Sequence, residues 1–254
     1  MENPKVTLVG AGPGSADLIT LRGLKALQEA QVVIYDALVG AELLDWAENA
    51  VEKVYVGKRA CQHSFTQDEI NGLLAQYALR YGSVVRLKGG DPYVFGRGQE
   101  EIEFLQRRGI QTELIPGISS ALAVPALQGV PLTHRGLSES FWVITGTTKD
   151  GKISKDIYEA AKTLTTTVIL MGLSHLAEIV QIYKTLGKGE LPVAVIQNGS
   201  LDNERAVVGH IEDIEHQVHV ANIGAPAIIL IGEVVSFHKT YAALTRKHEL
   251  FSFN

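Results

Sequence analysis

The sequence predicts an α/β protein made of two α/β domains, and three observations lead there. Short β-branched runs alternate with helical patterns along most of the 254-residue chain, which is the signature of α/β architecture. The alternation breaks between about residues 117 and 137, where Pro125, Gly129, Pro131 and Gly136 cluster, and then restarts. Glycine-rich turns stand at the ends of strand patterns, where α/β folds place ligand chemistry. The expected domains are 1–117 and 118–254.

The elements follow in order. Val6 to Val9 reads as the first strand, and a helix is expected from about Asp17 to Glu29, with Leu18, Leu21, Leu24 and Leu27 spaced to face a sheet. Val32 to Tyr35 is the second strand. Thr66 and Glu69 form a capping-box pair opening a helix that ends near Gly82. Val84 to Leu87 is the next strand, Glu100 to Arg108 a helix stopped by Gly109, and Leu114 and Ile115 end a strand just before Pro116-Gly117. A short helix from about Ser119 to Gln128 lies in the connection. In the second half, strands are expected at Phe141 to Thr145, Val168 to Met171, Val193 to Gln197, Arg205 to His210 and Pro226 to Ile231. The helix from Ser174 to Leu186 puts Leu176, Ile179, Val180 and Tyr183 on one face. Adjacent strand signals without long helices between them predict a mixed second sheet.

Composition narrows the function classes. With 46% hydrophobic residues the chain has enough apolar material for substantial cores. A net charge of −5 gives no domain-wide basic surface for nucleic acid. The single cysteine, Cys61, cannot form an internal disulfide and suits a reducing cytoplasm. The polar N-terminus leads straight into a strand pattern, so no signal peptide is expected, and the apolar run Ala227 to Ile231 is too short to span a bilayer. The histidines have no metal-ligand spacing, so no metal is expected, and no nucleophile-elbow motif is present.

The stretch Val85-Val-Arg-Leu-Lys-Gly-Gly-Asp-Pro-Tyr-Val-Phe-Gly-Arg-Gly98 carries the most chemistry. Strand residues run into Gly89 and Gly90, whose bare backbone permits close approach to a ligand. Asp91 adds a carboxylate, and Arg97 a guanidinium suited to carboxylate or phosphate. A second loop, Gly10-Ala-Gly-Pro-Gly14, follows the first strand, and Asp36 closes the second strand about twenty residues on. That pairing points to a dinucleotide site. Against it, Ser15 stands where the third glycine belongs, and Pro13 removes a backbone donor. A sulfonium methyl donor has no phosphates to cradle and needs only close backbone contact for its adenosine and amino-acid parts. The two loops with Pro116-Gly-Ile-Ser-Ser120 suit that ligand as well.

Taken together, these strings resemble the uroporphyrinogen-III C-methyltransferases of the tetrapyrrole methylase superfamily, over about residues 5 to 236. Val9-Gly-Ala-Gly-Pro-Gly14, Leu18-Ile-Thr-Leu-Arg-Gly23 and Gly89-Gly-Asp-Pro92 are shared across the superfamily. More specific are Val32-Val-Ile-Tyr-Asp-Ala-Leu-Val39, Val56-Gly-Lys-Arg-Ala60, the stretch from Arg86 to Gly98, and Gly129-Val-Pro-Leu-Thr-His-Arg135. Cys61-Gln62 departs from the pattern, where a small residue and often an aromatic are expected.

The resemblance implies two α/β domains of the tetrapyrrole methylase kind, with S-adenosyl-L-methionine as methyl donor in the cleft between them and S-adenosyl-L-homocysteine as product. It implies that Pro13, Gly89, Gly90, Asp91, Val94, Ser119, Ser120, Met171, Gly199 and Ala227 contact that donor. It nominates Asp36 to accept a proton and Lys58 to donate one, in two successive methylations of uroporphyrinogen III to precorrin-2 through precorrin-1. Because the tetrapyrrole is ringed with carboxylates, an acidic protein must gather cations locally. Lys58, Arg59, Arg86, Lys88, Arg97, His134 and Arg135 fall in the first half and the connection. Arg59, Arg97 and Arg135 are the expected carboxylate contacts, since guanidinium pairs with carboxylate in a bidentate fork. A homodimer in the cytoplasm, with no nucleic-acid or membrane partner, completes the expectation. Two other readings stay open: a methyltransferase acting on a later corrin intermediate, and a non-catalytic module that binds the methyl donor or a tetrapyrrole.

Overall fold

The computed structural model describes residues 3–57 and 65–241. The chain divides into two compact units, Met1–Ser119 and Ser120–Asn254.

The first unit contains β1 (Lys5–Gly10), α1 (Leu21–Gln28), β2 (Val32–Tyr35), α2 (Glu42–Asp45), β3 (Glu52–Tyr55), α3 (Gln67–Tyr81), β4 (Ser83–Lys88), α4 (Gly98–Gln106) and β5 (Gln111–Ile115). Its five strands lie in the order β3-β2-β4-β1-β5, and every pairing is parallel. Such a sheet needs both faces covered. Val6, Leu8, Ile34 and Val84 pack beneath α3 and α4 on one face, while Val9, Val33, Val85 and Leu87 form the other core with Leu27 and Leu43. Burying each of these side chains contributes on the order of 1.5–3 kcal/mol. The connection from β1 leads to one side of the sheet and that from β4 to the other. The switch point therefore falls between β1 and β4, the place where open α/β sheets bind ligands beyond the strand carboxyl ends.

Local sequence explains where these elements start. Thr66 accepts the Glu69 amide while Glu69 accepts the Thr66 amide, a complete capping box opening α3; such a cap is worth about 1 kcal/mol. The helix expected from Asp17 to Glu29 is broken. A 3-10 turn covers Ala16–Leu18, and Thr20, extended at ψ 149°, caps a shorter α1 through the Gly23 amide. This cap rotates Leu21 away from the sheet, so it is 79% exposed instead of core-facing. The short α2 and the half-buried strand β3, Glu52-Lys-Val-Tyr55, carry too little apolar pattern to be anticipated.

The second unit contains α5 (Ser120–Leu127), β6 (Phe141–Thr145), α6 (Asp156–Ala161), β7 (Thr166–Leu170), α7 (Leu176–Thr185), β8 (Pro192–Gln197), β9 (Arg205–His210), α8 (Ile214–Val220) and β10 (Ala227–Ile231). Its sheet runs β6-β7-β10-β8-β9. The β6–β7 pair is parallel and the others antiparallel, so the sheet is mixed, as the sequence predicts. β7 and β8 both run against β10, which brings their carboxyl ends to the edge where β10 begins. Strand β7 ends at Leu170 and not at Met171, because Met171 turns to φ 56°. The short helices α6 and α8 were outside the sequence expectation. Among the described residues no helix is long and apolar enough to cross a membrane.

Candidate functional site

In the first unit, three strand ends meet with almost no space between their backbones. Gly12 and Gly90 exchange backbone hydrogen bonds at 3.2 and 2.6 Å. A Cβ on Gly10 would sit well inside contact with the Gly117 amide and 2.8 Å from the Gly90 carbonyl oxygen. A Cβ on Gly117 would lie 2.6 Å from the Gly10 Cα. These positions require glycine for the approach of chain to chain. Gly89 has the same explanation: its Cβ would fall 2.5 Å from the Leu38 Cβ. Gly90 also adopts φ 68°, where glycine carries no steric penalty.

Asp91 ties this arrangement together. Its Oδ2 accepts the Gly117 amide at 3.0 Å, and its Oδ1 accepts the Tyr93 amide at 2.8 Å. The carboxylate that sequence reading turns toward a ligand is thus also a clamp between the ends of β4 and β5. Around the clamp stand exposed apolar side chains, Val94, Phe95 and Ile118. The Gly10–Gly14 loop carries no cation, and Pro13 within it offers no N–H. The loop also does not lead into an α-helix. The 3-10 turn intervenes, and α1 begins only at Leu21. A dinucleotide pyrophosphate needs a helix N-terminus directly after its glycine loop, so this geometry disfavours that reading. An uncharged nucleoside with an apolar face matches the surroundings better.

One face of the same sheet changes character toward its carboxyl end. Val6, Leu8, Ile34 and Val84 give way to Asp36, Arg86 and Lys88, all on the α3/α4 side because strand side chains alternate. Asp36 accepts the Leu38 amide through Oδ1 at 3.1 Å, and its Oδ2 lies 3.5 Å from an Arg86 guanidinium nitrogen. Arg86, Lys88 and Glu101 are 3%, 5% and 0% exposed. Glu101 Oε1 accepts Lys88 at 2.9 Å, Gln67 at 3.1 Å and Arg86 at 3.4 Å, while its Oε2 has no hydrogen-bond partner among the described residues. Burial pushes the Lys88 ammonium below its ordinary value and nearby Arg86 lowers it further, against the pull of Glu101. Arg86 and Lys88 are therefore neither solvated surface charge nor open carboxylate receptors. They form a buried ion network beneath Asp36. Glu101 is absent from the sequence reading. The available signal is Arg86-x-Lys88 inside an apolar strand, since an i, i+2 charge pair on a buried face demands a counter-ion.

Arg97, the N-cap of α4 at φ 58°, is exposed and pairs with Glu100 through Nε at 2.9 Å and a terminal nitrogen at 2.5 Å. The paired Glu100 carboxylate raises the Arg97 pKa, and the guanidinium lowers that of Glu100. Lys58 and Arg59 lie outside the described residues.

In the second unit, one sheet edge gathers Met171 after β7, Gly199 after β8 and Ala227 at the start of β10. Met171 is 52% exposed, unlike a core methionine. Thr147 Oγ1 donates to its carbonyl at 2.7 Å. Gly199 sits between Asn198 and Ser200, both at positive φ, and its Cβ would meet both Val124 methyls at 2.5 Å. Val124 belongs to α5, which begins at Ser120, and the preceding Ser119 is buried. Arg135 is exposed in the turn closed by the His134–Ser138 bridge. Among the described residues no group of three or more His, Cys, Asp or Glu side chains is placed to hold a metal ion.

Comparison with known proteins gives a consistent set. The family model described as Tetrapyrrole (Corrin/Porphyrin) Methylases matches residues 5–215. A uroporphyrinogen-III C-methyltransferase of Methanocaldococcus jannaschii is 47% identical over 234 residues, 91% of this chain and 97% of its own. One from Priestia megaterium is 44% identical over 235 residues, covering 92% and 99%. A crystal structure of uroporphyrin-III C-methyltransferase from Thermus thermophilus, complexed with S-adenyl homocysteine, superposes with a TM-score of 0.78 at 40% identity, covering 91% and 98%.

Proposed function

The chain belongs to the tetrapyrrole (corrin/porphyrin) methylases, and from that membership we propose that it is a uroporphyrinogen-III C-methyltransferase using S-adenosyl-L-methionine. It methylates uroporphyrinogen III twice, through precorrin-1, to precorrin-2. The observation that carries the reading is the juxtaposition of Asp36 with the Gly89–Asp91 turn. They occupy neighbouring strands at one sheet end, with Gly89 against Leu38. A proton acceptor and a backbone-lined nucleoside seat are then neighbours.

The chemistry asks little covalent work of the protein. An electron-rich pyrrole carbon attacks the sulfonium methyl, the new C–C bond forms as the S–C bond breaks, and S-adenosyl-L-homocysteine leaves. The chain contributes alignment. A proton must then leave the adjoining carbon, and Asp36 is the acceptor. The Leu38 amide and Arg86 fix the two Asp36 oxygens. The buried counter-ions Glu101 and Lys88 hold Arg86 in turn. Lys58 is the nominated proton donor that returns a proton to solvent or substrate once Asp36 has taken one, so the net release stays one proton per methyl, and Arg59, Arg97 and Arg135 receive carboxylates. Pro13, Gly89, Gly90, Asp91, Val94, Ser119, Ser120, Met171, Gly199 and Ala227 contact the methyl donor, with Asp91 shaping the seat through the Gly117 and Tyr93 amides.

The reading includes a cytoplasmic homodimer. In support, β6 is a sheet-edge strand bearing the exposed aromatics Phe141 and Trp142, and light scattering of the purified protein measures the assembly. A substrate panel tests the activity. With S-adenosyl-L-methionine, freshly reduced uroporphyrinogen III should gain two methyl masses while later corrin intermediates gain none. Transfer only to a later intermediate would move the enzyme to another step, and no transfer with intact donor binding would leave a binding module.

A further inference from the structure

The second unit holds a hydrogen-bond chain that ends on the Gly199 loop. His238 is 4% exposed. Its Nδ1 accepts the Thr240 amide at 3.1 Å, so the ring proton resides on Nε2, which donates to Gln128 Oε1 at 2.9 Å. The Gln128 amide nitrogen donates to Glu204 Oε1. Glu204 Oε2 accepts the Ser200 amide at 2.8 Å. Every link has a fixed direction: Gln128 offers its oxygen to the histidine and its nitrogen to the carboxylate, and the reverse orientation would face donor to donor and acceptor to acceptor.

The segment at the end of this chain is strained. Asn198 and Ser200 take φ 52° and 73°, where a non-glycine residue carries a steric penalty, and Gly199 between them is pressed by Val124. Such a conformation persists only when its surroundings over-determine it. Backbone bonds hold Asn198, whose amide donates to the Pro226 carbonyl at 3.0 Å and whose carbonyl accepts the Leu201 amide at 3.0 Å, and two groups of one helical segment add to that constraint. Val124 in α5 blocks the space beside Gly199, and Gln128, just past the end of α5, reaches Glu204. The network is anchored at buried His238 and half-buried at Gln128 and Glu204, and a polar network whose links are all made favours one geometry.

We propose that His238, Gln128 and Glu204 form a positioning relay that holds the Asn198–Ser200 turn in the shape that receives S-adenosyl-L-methionine. None of the three needs to touch the donor. The inference rests on the reading above that Gly199 contacts it.

The test is titration calorimetry with S-adenosyl-L-homocysteine, paired with steady-state kinetics, on the full chain. Gln128→Glu keeps the shape but sets a carboxylate oxygen against Glu204. We expect a Kd for S-adenosyl-L-homocysteine about tenfold weaker, the worth of one well-made hydrogen bond, and a matching rise in the KM for the methyl donor. The tetrapyrrole KM and the kcat at saturating donor should hold. His238→Ala should behave likewise, whereas His238→Gln, which retains a donor toward Gln128, should restore affinity to within about twofold. Ile157→Val, in the separate core on the other sheet face, controls for general loss of stability and should leave affinity unchanged. If Gln128→Glu and His238→Ala bind as tightly as the parent, or raise both KM values equally, the relay is overturned while the methyltransferase reading stands. If the parent chain gives no heat, that reading falls and takes the relay with it.

Discussion

Gly10 and Gly117 touch backbone to backbone: a Cβ on Gly117 would lie 2.6 Å from the Gly10 Cα. The contact joins the ends of β1 and β5, and the Gly90 carbonyl closes the third side. Gly117→Ala must push one of these chains away. It should destabilise the protein by at least about 1–3 kcal/mol, the usual cost of overpacking, and abolish S-adenosyl-L-homocysteine binding even below its melting temperature. Thermal melts with calorimetry check both, and unchanged binding would separate the glycine packing from the ligand seat.

Asp36→Asn keeps the Leu38 amide contact and removes the charge opposite Arg86. Donor binding should survive and kcat should fall by about 10²–10⁴, the range for a lost general base. Single-turnover mass spectrometry reads the outcome, and unaltered turnover would remove Asp36 from the chemistry.

Arg97 and Glu100 pair on the exposed start of α4. Arg97→Ala should raise the tetrapyrrole KM several-fold with little change in the donor KM. Glu100→Gln removes a competing carboxylate, so the tetrapyrrole KM should hold or fall. Rising ionic strength should narrow the difference, since exposed charges are screened. An equal effect of Arg97→Ala on both substrates would displace it from the tetrapyrrole site.

Gly199→Ala should lose donor affinity because Val124 occupies the space. If packing alone demands glycine there, adding Val124→Ala should recover most of that affinity. A double variant as weak as the single one would place the ligand itself against Gly199.

Burial holds the His238 imidazole below its ordinary value of 6.5, with Glu204 pulling upward and Lys239 downward. Below 6.5 the unfolded chain therefore binds more protons than the native one, and the stability from neutral His238 is lost as pH falls toward the native pKa. His238→Gln has no titrating ring and loses this pH dependence. The stability gap between parent and variant should shrink from about pH 7 to about pH 5 in denaturant titrations. A constant gap would show that His238 does not titrate differently on folding.

The parts of the fold that local rules decide were legible in the sequence. Thr66 and Glu69 announce their capping box, and the alternation of strand and helix patterns yields two α/β units. Apolar spacing puts Leu21 on the sheet face but does not reveal that Thr20 restarts the helix. Gly89 and Asp91 stand out as special in the sequence, but only the packed backbone shows that Leu38 and the Gly117 amide demand them. Glu101 lies in a helix start rich in charge, Gly98-Gln-Glu-Glu-Ile-Glu103, and nothing local marks it as the one that α3 and β4 bury. Likewise, the His238–Gln128 contact joins residues 110 apart in the chain, beyond any local pattern.

The central claim is that the strand ends around Gly90 seat an adenosine-bearing sulfonium. The most direct measurement is a crystal structure of the chain grown with S-adenosyl-L-homocysteine. Density for the nucleoside is expected against the Gly90 backbone and the Asp91 clamp, beside Val94. Density at another place on the chain, or none at saturating ligand, would contradict it.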